Sequence, residues 1–298
     1  LKKQKLRFII NPFSGTGKQK EINLLIKTQL NTALFEYEIQ YTKAARHAIE
    51  LSSKATLDGI ARVVVVGGDG SVNEVGAALI GSNTAMGILP AGSGNGLARH
   101  FNISTTLSKA IEVLNTGKCI SMDTFTVNNK PFLGTAGIGF DAHIAHLFAN
   151  YGKRGFWSYL RIIWKELSTY KPATYQLSID GKKMERQAFL ICIANSSQFG
   201  NNAVIAPEAN VQDGMMEVCI LKKTSIAAFI PLVMRLFTRS IHKSNLVETI
   251  RCKSLVVHNN SKGLIHLDGE PMLLQEVLTF EIRPASLKII VPVGYPEF

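Results

Sequence analysis

The sequence predicts a parallel α/β domain followed by an antiparallel β-sandwich, and three observations carry that expectation. Strand-like and helix-like segments alternate from Lys5 to Asp123. Apolar runs such as RVVVVGG (62–68) are near-continuous, as in strands covered on both faces. Beyond Asp123 strand-like segments follow one another, many separated by turn dipeptides such as Asp180-Gly181. A domain boundary is therefore expected near residue 123, with 1–123 binding nucleotide and 124–286 forming the sandwich.

In order, KLRFIINP (5–12) is expected as a strand and Lys18–Leu30 as a helix with Ile22, Leu25, Ile26 and Leu30 on one face. FEYEIQYT (35–42) is a strand, Ala44–Leu57 a helix, RVVVVGG a buried strand and Ser71–Ile80 a helix. TAMGILP (84–90) follows as a strand, then GNGLARHF (94–101) and Leu107–Leu114 as helices. The strand-like segments of the second half are SMDTFTVNN, KPFLGTAGIG, TYQLSID, RQAFLICIANS, MMEVCILKK, LVETIRCKSLVVH, LIHLDGEP and VLTFEIRP. Helical insertions are expected at Asp141–Thr169 and Ser225–Ile241.

Composition narrows the function classes. The 298 residues are 46% hydrophobic and 18% charged, which fits a folded protein and not a long disordered one. The net charge of +11 calls for an anionic partner: nucleic acid, an acidic membrane surface or a polyphosphate. No nucleic-acid recognition motif accompanies it, so no nucleic-acid partner is expected. Four scattered cysteines without metal spacing suggest reduced thiols in a cytoplasmic protein. The most apolar segment, Ser225–Ile241, is broken by Pro231, Arg235 and Arg239 and is too short to span a bilayer.

The chemistry concentrates in two glycine-rich loops. Gly67, Gly68 and Gly70 follow a buried strand and precede a helix, where glycine lets backbone N–H groups approach a ligand and the helix N-terminus favours anions. A tight turn with Asp69 as a helix cap is the alternative for this loop alone. ILPAGSGNGLARH (88–100) repeats the design, with Gly92, Gly94 and Gly96 interleaved by Ser93 and Asn95. Two such loops at the carboxyl ends of sheet strands can converge on one nucleotide. NPFSGTGKQ (11–19) imitates a phosphate-binding P-loop but has Pro12 in place of the first glycine and Gln19 in place of Ser/Thr. Only Asn11, Ser14, Gly15 and Gly17 are kept from it, as nucleotide-contacting backbone. Asp69 beside a triphosphate would be repelled without a cation, and Mg²⁺ held by one or two carboxylates and phosphates removes the conflict.

GGDGSVNEV (67–75), PAGSGNGLAR (90–99), GIGFDA (137–142) and LDGE (267–270), in this order, resemble the diacylglycerol kinase catalytic family, which includes bacterial lipid kinases and the sphingosine and ceramide kinases. The resemblance covers essentially the whole chain. GGDG alone is shared with NAD kinases and phosphofructokinases. The resemblance implies a Rossmann-like nucleotide domain of that NAD kinase and phosphofructokinase kind, a C-terminal β-sandwich, and a last segment, 287–298, returning to the first domain. It implies an ATP- and Mg²⁺-dependent kinase acting on the hydroxyl of a membrane lipid such as diacylglycerol. ATP would contact Asn11, Thr42, Gly67, Gly68, Asp69, Gly70, Ser71, Asn73, Gly92, Ser93 and Asn95. Glu270 would be the catalytic carboxylate, with Asp69 beside the phosphates and Asp123 linked to the metal through water. ANVQDGMMEV (209–218) would hold a structural magnesium through Asp213 and the carbonyls of Asn210 and Met215. For LDGE a plain hairpin turn at Asp268-Gly269 is the alternative. Ser71 replaces the family's commonest Thr, and Gly96 stands where many bacterial members have Asp, as in a sphingoid-type loop. A sphingoid-type kinase, a soluble NAD kinase and an inactive nucleotide- or lipid-binding regulator therefore remain alternatives.

Between Phe148 and Lys171 aromatic residues (Tyr151, Phe156, Trp157, Tyr159, Trp164, Tyr170) interleave with Lys153, Arg154, Arg161 and Lys165. This pattern predicts peripheral contact with an anionic membrane, to which Arg235, Arg239 and Lys243 would add; an amphipathic helix packed on the sandwich is the alternative. His143 and His146 have helical spacing but no third ligand nearby and are expected to be ordinary core or surface histidines. A homodimer is left open.

Overall fold

The structure is a computed structural model that describes residues 3–14, 21–149, 151, 156–222, 225–259 and 263–296, without the side chains of 156–160 and 226. Its chain divides into two compact units: Leu1–Asp123 with Pro284–Phe298, and Thr124–Arg283.

The first unit alternates strand and helix: β1 (Gln4–Ile10), α1 (Ile22–Gln29), β2 (Phe35–Tyr41), α2 (His47–Leu57), β3 (Arg62–Gly67), α3 (Asp69–Leu79), β4 (Ala85–Pro90), α4 (Gly96–His100), α5 (Leu107–Thr116) and the start of β5 (Lys118–Val127). The strands run parallel in the order β2-β1-β3-β4. Val63 to Val66 are wholly buried, which is why β3 shows no polar alternation. Burying each such valine stabilises the fold by about 1.5–3 kcal/mol. Helix α5 shows its core face directly, since Leu107, Ala110, Ile111 and Leu114 follow the i, i+3, i+4, i+7 spacing and are all buried. Helix α3 begins at Asp69, two residues before the expected Ser71, so Asp69 and Gly70 lie in helix rather than loop.

Between these units the chain passes within β5 and returns within β18 (Val277–Val291). The end of β18 joins the parallel sheet, with Ile289 opposite Met86 on β4. The turn of chain at Ala285 is held by Asp123, whose Oδ1 accepts the Ala285 N–H at 2.7 Å. Tyr295 then packs on Phe101 and His100, with its Oη 3.2 Å from His100 Nε2. Burial pushes the His100 imidazole down to about 4, so it stays neutral and can accept that hydroxyl.

The second unit contains β6 (Lys130–Phe132), β7 (Thr135–Gly139), α6 (Phe140–Ala149), α7 (Phe156–Leu167), β8 (Ala173–Ile179), β9 (Lys182–Ala188), β10 (Leu190–Ala194), β11 (Gln198–Gly200), β12 (Ala203–Val204), β13 (Met216–Leu221), α8 (Ile226–Phe237), β14 (Val247–Cys252), β15 (Leu255–His258), β16 (Leu264–Leu267) and β17 (Glu270–Leu273). One antiparallel sheet runs β14-β13-β10-β7-β16-β17. A second set pairs β9 with β8, β8 with β15 and β15 with the start of β18. Phe125, Phe132, Ile138, Tyr175, Ile193, Val218, Leu255 and Phe280 share one buried core cluster. Sequence LVETIRCKSLVVH, expected as one strand, is two, because β14 and β15 belong to different sheets.

The aromatic segment expected to face a membrane divides in the structure. Phe148 and Tyr170 pack against the buried cluster around Phe140 and Phe189. Glu166 pairs with His143 at 2.9 Å. Trp164 and Tyr151 are exposed. Lys153, Arg154 and the side chains of Phe156, Trp157 and Tyr159 lie outside the described residues. The cysteines are free thiols, three buried and Cys119 exposed. Among the described residues no helix is long and apolar enough to cross a membrane.

Candidate active site

The candidate nucleotide residues collect where parallel strands end. Asn11 follows β1, Thr42 follows β2, Gly67 closes β3 and Gly92 stands two residues after β4. In this architecture ligands bind beyond the carboxyl ends of the strands. Asn11 donates its backbone N–H to Val66 O at 3.0 Å and its amide Nδ2 to Ser71 Oγ at 3.0 Å, so the end of β1 is tied to the first turn of α3. Thr42 is buried and donates its N–H to Ile10 O at 2.9 Å. Ser14 Oγ donates to Asn11 O. Gly15 and Gly17 lie outside the described residues.

The two glycine loops touch through their backbones. A methyl group added at Gly92 would lie 2.4 Å from Gly68 Cα, and one at Gly68 would lie 3.1 Å from Gly92 Cα. Any side chain at Gly92 would therefore prise the loops apart. The N-cap, Gly68, offers no capping side chain to α3, whose start is the kind of helix terminus that favours anions.

Asp69 has a specific structural job. Its Oδ2 accepts the Asn95 N–H at 2.9 Å and its Oδ1 accepts the Gly96 N–H at 2.7 Å. Those are the N-terminal amides of α4, a helix of five residues that has no capping side chain of its own. The carboxylate thus clasps the second loop from the first. Asn95 closes that loop on itself: its Oδ1 accepts from Gly92 N at 3.0 Å and its Nδ2 donates to Gly92 O at 2.8 Å. Ser93 is exposed at the tip. An ionised carboxylate has about four lone-pair positions, so Asp69 could still take a cation alongside these bonds.

Among the described residues no group of three or more His, Cys, Asp or Glu could hold a metal by itself. The donor set fits an ion shared between one or two carboxylates and the phosphates of a nucleotide, which is how Mg²⁺ is usually bound. At the second expected metal position Asp213 is already engaged. Its Oδ1 accepts the Met215 N–H at 2.9 Å and its Oδ2 meets the Arg251 guanidinium. Asn210 Oδ1 accepts the Gln212 N–H at 3.0 Å. Glu217, only 4% exposed, faces Arg251 across the β13–β14 pair at 4.0 Å, and burial raises its carboxyl to about 7. Arg251 is therefore the charge partner of this loop in the structure.

Glu270 is exposed at the start of β17, opposite Leu267, directly after a hairpin turn. Asp268 (φ 48°) and Gly269 (φ 86°) both have positive φ, the geometry that two-residue hairpin turns require. The turn expected at Asp268-Gly269 is therefore present, and the sequence did not show how firmly it is held. Asp268 accepts backbone N–H bonds from Leu133, Gly134 and Thr135 at 2.9, 2.8 and 2.9 Å. One strand residue back, His266 is 3% exposed, with Nε2 2.7 Å from Asp141 Oδ2 and Nδ1 accepting the Gly269 N–H at 3.3 Å. Burial alone would lower this imidazole; the carboxylates of Asp141 and then Asp268 outweigh it and leave it above its ordinary value. Gly137 makes room for the pair, since a methyl group there would lie 2.2 Å from His266 Nε2 and 2.3 Å from Asp141 Oδ2. This explains the first glycine and the aspartate of GIGFDA, which the motif reading had left without roles.

Residues 5–127 match the family model described as diacylglycerol kinase catalytic domain, and residues 134–291 match the YegS C-terminal NAD kinase beta sandwich-like domain. The chain is similar to a diacylglycerol kinase of Bacillus subtilis, at 26% identity over 273 residues with 90% of each chain covered. It is also similar to the Salmonella arizonae protein named "Probable lipid kinase YegS", at 29% identity over 245 residues with 80% of each covered. A crystal structure of a diacylglycerol kinase from Bacillus anthracis superposes with a TM-score of 0.77 at 19% identity, covering 99% of this chain and 100% of that one. Yeast NADH kinase shares the fold at a TM-score of 0.52 and 9% identity, covering 97% and 83%.

The loop geometry predicts that Gly92→Ala weakens binding of an ATP analogue by about tenfold or more while the unfolding midpoint falls only modestly, because the clash is local to the loops. Calorimetric titration and thermal denaturation of the variant check this. An affinity equal to that of the parent chain would show that loop contact is not what forms the site.

Proposed function

Since the chain belongs to the diacylglycerol kinase and YegS family of lipid kinases, we propose that it transfers the γ-phosphate of ATP to the hydroxyl of a diacylglycerol. The observation that carries this reading is the pair of glycine loops at the strand ends, touching at Gly68 and Gly92 and clasped by Asp69. Phosphoryl transfer asks mainly for positioning and charge neutralisation, and an uncapped helix start beside a second ordered loop supplies positioning. A Mg²⁺ ion bound with the nucleotide would neutralise phosphate charge, with Asp69 and, through water, Asp123 as its protein partners. Glu270 takes the proton of the acceptor hydroxyl, the hydroxyl oxygen bonds to the γ-phosphorus, and the bond to the β,γ-bridging oxygen breaks to release ADP. The loop residues Asn11, Thr42, Ser71, Asn73 and Ser93 are the proposed nucleotide contacts.

The acceptor is a bilayer component, and helix α8 suits a bilayer surface. Ile230, Met234 and Phe237 lie on one exposed face at i, i+4, i+7 spacing, and no Asp or Glu occurs from Ser225 to Val247. Arg235, Arg239 and Lys243 follow in the same stretch. An apolar stripe beside cations matches the acyl boundary and headgroups of an anionic leaflet. On this reading α8 adds to the membrane face expected at 148–171, where Trp164 is exposed.

Two expected outcomes test the reading. Labelled phosphate from ATP should appear in phosphatidic acid when diacylglycerol vesicles are supplied, should disappear with EDTA, and should fall about 10²- to 10⁴-fold in Glu270→Gln with ATP binding intact. Transfer to NAD in place of lipid, or full turnover in that variant, would contradict it. On vesicles containing phosphatidylserine, replacing Arg239 and Lys243 by Ser should lower partitioning about tenfold or more, at about 1 kcal/mol per cation, and raising salt should do the same to the parent chain. Equal partitioning of both proteins at low salt would remove the membrane assignment.

A further inference from the structure

The hairpin that carries Glu270 has more fastening than a hairpin needs. The two-residue turn has its preferred backbone geometry, and Asp268 adds three backbone hydrogen bonds from the β6–β7 connection. Yet β16 also buries an imidazole against the carboxylate of Asp141, which is itself only 10% exposed. Apolar residues at both 266 and 141 would fill the same space without desolvating two polar groups, and replacing a whole buried pair in this way is often neutral or stabilising. The pair therefore calls for a purpose other than holding the strands together.

Its contacts supply one. Nδ1 accepts the Gly269 N–H, so that nitrogen carries no proton and the ring proton sits on Nε2, facing Asp141 Oδ2 at 2.7 Å. Asp141 lies in the first turn of α6, and Gly137 leaves room for the imidazole beside it. The Gly269 N–H that Nδ1 accepts belongs to the Asp268–Gly269 peptide, one residue before the exposed Glu270. Gly269, without a side chain, is the point about which that peptide could otherwise turn.

We propose that His266, oriented by Asp141, is a positioning residue that fixes the backbone beneath Glu270 through the Gly269 N–H. The inference rests on the reading of Glu270 as the base. The bond is longer than a neutral N–H···O bond, and its effect is on direction: a shift of about 1 Å at a reacting group can cost about 10²-fold in rate. Asp141, Gly137, His266 and Glu270 thereby connect GIGFDA to LDGE, two segments far apart in sequence.

Two amide variants separate the bonds the ring makes. In His266→Asn the amide oxygen can stand where Nδ1 stands, keeping an acceptor for Gly269 N–H and losing the reach to Asp141. In His266→Gln the longer amide can reach Asp141 but offers nothing to Gly269. Full-length protein is assayed for kcat and KM with diacylglycerol vesicles, beside its thermal midpoint and beside Glu270→Gln. The expected result is a kcat lowered about 10- to 100-fold in His266→Gln, with KM for ATP unchanged and with clear recovery of kcat in His266→Asn. The inference is overturned if His266→Gln keeps full kcat, or if both variants lose kcat alike in step with a lowered midpoint, which is what packing alone would give. Glu270→Gln distinguishes the two layers. If it retains turnover, the base assignment fails whatever happens at His266; if it loses turnover while His266→Gln does not, only the present inference fails.

Discussion

Two hydrogen bonds from the backbone of Asn95 and Gly96 to the carboxylate of Asp69 set the geometry on which the proposed nucleotide site depends. Helix α4 is one turn and a fraction long and could not hold its own start in place. Asp69 supplies the missing cap from the neighbouring helix, and the bare Cα atoms of Gly68 and Gly92 let the loops meet. A negative charge in a glycine-rich turn then makes sense. It is directed at the positive end of a second helix, so its charge is partly compensated before any nucleotide arrives. What it leaves uncapped is the start of α3, where anions are favoured.

The second unit uses the same chemistry. Asp268 gathers three backbone N–H groups and so anchors the hairpin bearing Glu270 to the start of β7. In both units a short acidic side chain bonds backbone amides distant in sequence, 26 and 27 residues away for Asp69 and 133 to 135 for Asp268. Charge-assisted bonds of this kind are shorter and stronger than neutral ones, which suits loops with little apolar surface to pack.

Much of this was legible in the sequence. The valine run of β3, the alternation of strand and helix, and the change at Asp123 are properties of local pattern, and the parallel α/β unit and the sandwich follow from them. The glycines at 68 and 92 and the turn at Asp268-Gly269 were also visible, because each demands a backbone or approach that few residues tolerate. Tertiary partners were not. Nothing local to Asp69 says that it caps a helix beginning at residue 96, and nothing near Asp141 points to His266. The aromatic run at 148–171 looked like one amphipathic surface, yet Phe148 and Tyr170 turn inward toward Phe140 and Phe189. Conversely, the exposure of Ile230 and Met234 on α8 could not be read from the apolar segment 225–241 alone. The Asp213 loop likewise gave no sign of Arg251, which arrives from another strand.

The clasp is tested most directly by measuring the affinity of a nonhydrolysable ATP analogue for Asp69→Asn and for the parent chain by calorimetry, with all divalent metal removed. A carboxylate that merely sat near the phosphates would repel them under those conditions, so its neutralisation would tighten binding. If instead Asp69 organises both loops, the amide, which can accept from only one of the two N–H groups, should weaken binding by about tenfold, the worth of one charge-assisted hydrogen bond. Unchanged or tighter binding in Asp69→Asn without metal would contradict the account.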